Sequence, residues 1–259
     1  MAPPLSASAF LDALRDEGVR VVEVDDWQHH NRNHKGAWGP VHGVMIHHTV
    51  TSGSARTAAI CRDEHSSLPG PLCHGVITKD GRVHLVGYGR ANHAGLGDDD
   101  VLRAVIAERA LRADNEANTD GNRHFYGYEC ENLGDGEDLW PKAQVEAIVR
   151  ASAAICRRHG WTAASVIRHL DWQPGKVDPR GPGLDWADIH KRVDERLKHP
   201  ASWSPGGTST YTVRKDDTLS AIAKAKLGDA NRWPEIAELN TLKNPDDIRV
   251  GQKLKLPKK

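Results

Sequence analysis

Val44-Met45-Ile46-His47-His48-Thr49 is an apolar run that ends in two histidines. It reads as a β-strand, in which successive side chains point to opposite faces. One of His47 and His48 therefore shares a face with Met45, and the other packs or caps. A second informative stretch follows much later: His169-Leu-Asp-Trp-Gln-Pro174-Gly175-Lys176-Val-Asp178-Pro179. Its Pro-Gly turn lets the chain double back. His169 and Asp178, nine residues apart, can then meet one ion. Two histidines and one carboxylate with a fourth position open form a catalytic rather than a structural zinc arrangement. The same residues also suit scattered surface histidines and a turn carboxylate, and spacing alone does not decide between the two.

Outward from these stretches the elements alternate. Phe10, Leu11 and Leu14 mark one side of a short helix ending near Gly18. Val19 to Val24 is a short β-rich run. Gly75–Thr78 and Val83–Val86 flank Lys79-Asp80-Gly81-Arg82, a hairpin signal. Residues 101–113 are expected to be helical, with Leu102, Val105 and Ile106 on one face. Phe125–Cys130 reads as a strand. Pro141 opens a long helix with Val145, Ile148, Val149, Ser152, Ile155 and Cys156 inward. Val166–Arg168 is a short strand leading into His169. Asp185 caps a last helix carrying Ile189, Val193 and Leu197. This mixture predicts an α/β domain with one central sheet over residues 1–199.

Residues 200–210 (PASWSPGGTST) are uncharged and rich in Ser, Thr, Pro and Gly, the composition of a flexible linker. Residues 211–259 read as a compact βααβ unit. Tyr211-Thr-Val starts it, Asp217 or Thr218 caps a helix with Leu219, Ile222 and Ala223 inward, and Pro234 opens a second with Ile236 and Leu239. Lys253-Leu254-Lys255-Leu256 alternates as a half-buried strand does.

With 38% hydrophobic and 27% charged residues, the chain has the make-up of an ordinary globular protein. Lys+Arg and Asp+Glu balance at 35 each, so no global field points to nucleic acid. The balance is uneven. Residues 211–259 hold 11 basic and 7 acidic residues and residues 1–199 hold 24 and 28, so +4 stands against −4. A basic tail unit suits an anionic polymer, and equally a solvated lysine-rich face. The four cysteines lack C-x-x-C spacing and read as buried free thiols, with a Cys61–Cys73 bridge left open. No stretch approaches the ~20 apolar residues of a membrane span. Residues 1–24 show no secretory signal pattern.

Ile46-His47-His48-Thr49 and the run from His169 to Pro179 resemble the type-2 N-acetylmuramoyl-L-alanine amidases, which include phage lysins and animal peptidoglycan-recognition proteins. The resemblance covers roughly residues 20–197 and implies a mixed central sheet flanked by helices. It also implies zinc held by His47, His169 and Asp178, with Lys176 steadying the oxyanion. His48 is then the neighbour facing away. Tyr126-Gly127-Tyr128-Glu129 is similar to the strand that carries a glutamate base in some members, which makes Glu129 the expected base and Glu131, of the same strand parity, its rival. Where other members carry a tyrosine, this chain has approximately Cys73, which favours the glutamate variant. Asn92-His93-Ala94-Gly95 resembles a segment bordering the substrate groove, so His93 is expected either to touch substrate or to make a loop hydrogen bond.

The C-terminal unit resembles a LysM domain through Tyr211-Thr-Val, Asp216-Asp217-Thr218-Leu219, Trp233-Pro234, Leu239-Asn240 and Gly251-Gln252. That implies binding of N-acetylglucosamine polymers, with Asp217 and Thr218 at the groove. Together the two resemblances imply a monomeric zinc amidase acting on bacterial peptidoglycan. The expected setting is a phage endolysin, made in the host cytoplasm without a signal peptide and acting on the cell wall. The rival is a non-catalytic peptidoglycan-binding protein, against which the intact ligand set argues. A zinc peptidase is disfavoured, since no His-Glu-x-x-His helix is present.

Overall fold

The computed structural model describes residues 2–65, 68–203, 209–242 and 244–257. The chain divides into two compact units, Met1–Ser202 and Trp203–Lys259. Residues 204–208 of the expected linker lie outside the described residues.

The larger unit is built on a six-stranded sheet. Its strands are β1 (Arg20–Glu23), β2 (Gly43–His48), β3 (Gly75–Ile77), β4 (Arg82–Leu85), β5 (Phe125–Cys130) and β6 (Val166–Arg168). Their order is β1-β4-β3-β5-β2-β6. Only the β3–β4 hairpin is antiparallel; the other pairs run parallel, so the sheet is mixed. β2 sits between β5 and β6 and is buried along its whole length. That explains its near-continuous apolar sequence.

The helices cover both faces. α1 (Ala7–Asp16), α4 (Lys142–His159) and α5 (Trp186–Leu197) pack on the face carrying Val44, Ile46, Tyr126 and Tyr128. The inward positions expected for α4 are all buried. Gly160, at φ 72°, ends that helix in the left-handed conformation that glycine adopts without penalty. The opposite face carries Met45, Phe125 and Ile167 and is covered by α3 (Asp99–Ile106) and Trp172.

α3 stops at Ile106, well short of the expected residue 113. Two features take the chain away from the helix. Glu108 adopts a left-handed φ of 50°, and its carboxylate accepts from Thr162 and Ser165. Asp98 caps the helix start and also accepts the backbone N–H groups of Asn115 and Glu116. The segment after Glu108 is thereby tied back to the helix N-terminus.

In the smaller unit, β7 (Ser209–Thr212) pairs antiparallel with β8 (Lys253–Leu256), and α6 (Leu219–Leu227) and α7 (Trp233–Leu239) lie between them in sequence. The order is βααβ. Thr218, not Asp217, caps α6, accepting from the Ala221 N–H. Leu219, Ile222, Ile236 and Leu254 are buried in its core. Leu239, expected inward, is 36% exposed. Its neighbour Asn240 joins α7 to β8 instead, through bonds to the Lys255 carbonyl and N–H.

Candidate metal centre and cleft

The parallel strands β2, β5 and β6 end side by side, and open α/β sheets bind ligands outside such carboxyl ends. His47 lies near the end of β2, and Glu129, its Cα partner, near the end of β5. His169 directly follows β6, whose Arg168 is level with Ile46.

The turn after His169 brings Asp178 back. The Leu170 N–H donates to the Asp178 carbonyl at 2.7 Å, and Gly175 turns the chain at φ 85°. Asp178 Oδ2 then lies 3.1 Å from His169 Nδ1 and 3.5 Å from His47 Nδ1. Candidate ligand atoms of these three residues all fall within 4.8 Å of one another. They are the one such group found among the described residues. Three nitrogen and oxygen donors with space beyond them fit a catalytic zinc site. A buried, unpartnered nitrogen, Nε2 of His169, adds an unsatisfied polar atom to the cluster.

The electrostatics follow from burial and from this clustering. Burial, and then the charge of His169, lowers the His47 pKa to about 4. Burial works to raise Asp178, but its contacts with His169 and His47 prevail and hold it well below the usual carboxylate range. Both therefore favour the protonation states a metal requires, neutral imidazole and ionised carboxylate.

The other expected residues fall around this centre. Glu129 lines the same cleft of about 390 Å³, and its Oε2 is buried without a hydrogen-bond partner. Burial, then the charges of Cys61 and Asp178, push its pKa well above the ordinary value, with Lys176 opposing. Lys176 is exposed at the cleft. Glu131 goes elsewhere. Its carboxylate accepts from Gly53 N–H, Ser54 Oγ and Lys79 N–H, and so caps α2 (Ser54–Asp63), which starts without a side-chain cap of its own. His48 also lines the cleft but stands outside the ligand group, its ring packed against Gly134, where a Cβ would come within 2.5 Å of it.

Cys73 and Cys61 are buried in one cluster, and both are free. That small apolar cluster also holds Leu72, Val76 and Val86. The sequence left His93 open between substrate contact and a loop hydrogen bond. Its ring edges the cleft but both nitrogens are engaged inside the protein, with His47 Nε2 at 3.0 Å and the Phe125 carbonyl at 3.2 Å.

Sequence reasoning missed the aliphatic rim of the cleft. Val50, Leu68 and Val177 line it and are 66%, 50% and 48% exposed. Val50 also holds a left-handed φ of 51°, rare for a β-branched residue. An exposed valine directly after the His47-His48-Thr49 motif was the available signal.

In the smaller unit, Asp217 accepts from Tyr211 OH and the Arg214 N–H. Asp217 and Thr218 line a cavity of about 390 Å³ with Leu219, Trp233, Asp246 and Ile248.

Residues 37–181, more than half the chain, match the family described as N-acetylmuramoyl-L-alanine amidase. The chain belongs to that family. Residues 211–257 match the LysM domain. Among curated relatives of this amidase-family chain is XlyB of Bacillus subtilis strain 168, 27% identical over 172 residues, or 64% of this chain and 53% of XlyB. XlyA of the same strain is 32% identical over 140 residues, 54% of this chain and 41% of XlyA. The chain thus spans about half the length of these relatives. A solved structure of the XlyA catalytic domain aligns over 68% of this chain and 99% of that domain, at 18% identity and a TM-score of 0.43. No helix among the described residues is long and apolar enough to cross a membrane.

Proposed function

We propose that this chain hydrolyses the amide between N-acetylmuramic acid and L-alanine in peptidoglycan, with zinc held by His47, His169 and Asp178. The observation that carries the reading is the convergence of two buried imidazole Nδ1 atoms on one carboxylate oxygen, in a cleft that also holds Glu129. The names of the relatives XlyA and XlyB point the same way.

The ion, when bound, supplies Lewis acidity to the scissile carbonyl and to water. The protein's own groups do the rest. Glu129 takes the proton of the attacking water and returns it to the leaving amine. The Asp178 charge that helps to raise Glu129 is one that a bound cation offsets, so the loaded site favours the ionised base. Lys176 offers a positive charge to the developing oxyanion. Val50, Leu68 and Val177 give the substrate an aliphatic surface to cover.

The LysM unit holds the enzyme on the insoluble wall through the cavity at Asp217 and Thr218. We place the linker within residues 200–210 and the catalytic and binding domains on either side of it, acting as a monomer. Tethering raises the local concentration of catalyst at its substrate. In this reading the protein serves as a phage-type endolysin, made in the host cytoplasm and acting on the wall. Loss of turbidity when it is added to permeabilised cells tests that role.

Digestion of purified peptidoglycan by the zinc-loaded protein tests the bond. New N-terminal alanine without new reducing ends is expected. New reducing ends would show a glycosidase and overturn the reading. No release of either kind would favour a non-catalytic binding protein.

A further inference from the structure

Three polar contacts run in line from β5 to the metal site. His93 Nε2 lies 3.2 Å from the Phe125 carbonyl oxygen. His93 Nδ1 lies 3.0 Å from His47 Nε2. His47 Nδ1 lies 3.5 Å from Asp178 Oδ2. The first contact fixes the rest. A carbonyl only accepts, so His93 Nε2 carries the hydrogen. Neutral His93 then presents a lone pair at Nδ1, and His47 must donate its Nε2–H to it. His47 is left with a bare Nδ1 facing the carboxylate.

The alternative, a doubly protonated His93, places a charge on a buried ring packed against the rings of His47 and His74. Burying that charge without a carboxylate partner is costly.

The His93 ring is held from several sides. The N–H groups of His93 and Ala94 both donate to Asn122 Oδ1 at 2.8 Å. Trp172 Nε1–H donates to the Ala94 carbonyl at 3.0 Å, which ties the segment to the turn that carries His169. Gly127 opens the space for the ring, since a Cβ there would sit 2.5 Å from His93 Nδ1.

We propose that His93 is a positioning residue: the relay from the Phe125 carbonyl through His93 to His47 locks His47 in the Nε2–H tautomer and aims its Nδ1 lone pair at the metal. This rests on the zinc reading above. The device serves one ligand of the pair. Nε2 of His169 is buried without a hydrogen-bond partner, so no equivalent contact on the far side of that ring orients it. A lone pair set against a carboxylate oxygen is unfavourable unless a cation or proton lies between them. The relay thus holds the site in a state that demands a cation.

Zinc affinity of the full chain, measured by competition with a chelating dye, tests the proposal in the wild type, His93→Leu and His93→Asn. His93→Leu is expected to bind zinc about 10- to 100-fold more weakly, as loss of such partners typically costs. His93→Asn places Oδ1 where Nδ1 stood, and should recover most of that loss. Nitrogen-15 NMR of metal-free wild type should show His47 as the Nε2–H tautomer. Wild-type affinity in folded His93→Leu would overturn the proposal while leaving the zinc reading intact. An Nδ1–H tautomer at His47 in the wild type would also overturn it, and decides the matter even where His93→Leu fails to fold. Absence of zinc binding by the wild type would overturn the zinc reading itself.

Discussion

His47 and Glu129 are Cα partners on adjacent parallel strands, so the first imidazole of the candidate metal site and the carboxylate proposed as base stand next to each other on one sheet face. Neighbours of this kind can be separated by substitution. Glu129→Gln keeps the shape and removes the basic oxygen. Amide cleavage, followed as new amino termini, should fall by about 10²- to 10⁴-fold. Zinc stoichiometry should stay at the wild-type value. Retained cleavage would move the base elsewhere.

The two adjacent histidines should behave oppositely. His47→Asn removes a candidate ligand and should abolish tight zinc binding. His48→Asn changes the neighbour that turns toward Gly134 and should leave zinc stoichiometry intact. Dialysis against limiting zinc followed by metal analysis distinguishes them. Equal losses would contradict the strand alternation.

Glu131 is a stability residue in this structure. It accepts three hydrogen bonds while only 4% exposed. Glu131→Ala orphans the Gly53 and Lys79 N–H groups and uncaps α2. A loss of about 2–4 kcal/mol in urea unfolding is expected. Glu129→Gln should lose far less, since Oε2 of Glu129 bonds nothing.

Acid should weaken the fold through His74. Its Nε2–H donates to the Gly89 carbonyl, and its Nδ1 accepts from the Gly127 N–H, so the neutral ring is required. Burial lowers its pKa to about 4. Between the unfolded value of about 6.5 and that folded value, the unfolded chain binds the proton and the native chain does not. Stability from this group is therefore full above pH 6.5 and declines as pH falls toward 4, by on the order of 3 kcal/mol. Urea midpoints at pH 7 and 4.5, in chelator, should show a smaller acid loss in His74→Asn than in the wild type.

The two units should fail independently. Trp233→Ala opens the cavity that Asp217 and Thr218 line. Co-sedimentation with insoluble peptidoglycan should drop severalfold. Cleavage of soluble muropeptides by the same variant should match the wild type.

The strands and long helices of the larger unit were legible because their apolar periods are undiluted. β2 is buried on both faces, and α4 shows its inward face without interruption. The His169–Asp178 turn was legible because Pro174 and Gly175 mark it locally. The end of α3 was not. It depends on Glu108 and Asp98 reaching partners far along the chain, which no local pattern encodes. The parity of Glu129 and Glu131 also misled. β5 ends at Cys130, so alternation no longer governs Glu131, and the loop delivers it to α2. His93 sits in a recognisable segment, but its bond to His47 exists only once β5 lies beside β2.

Gly127 occupies a middle position of a buried strand, where its missing side chain looks like a defect. The space it leaves is filled by the imidazole of His93. Positions 93 and 127 are therefore one design choice written at two places in the chain. A relative that carries any larger residue at 127 must surrender the histidine at 93, and with it the partner proposed here for the first ligand. Among aligned family members, a side chain at 127 should therefore appear only where position 93 is no longer histidine.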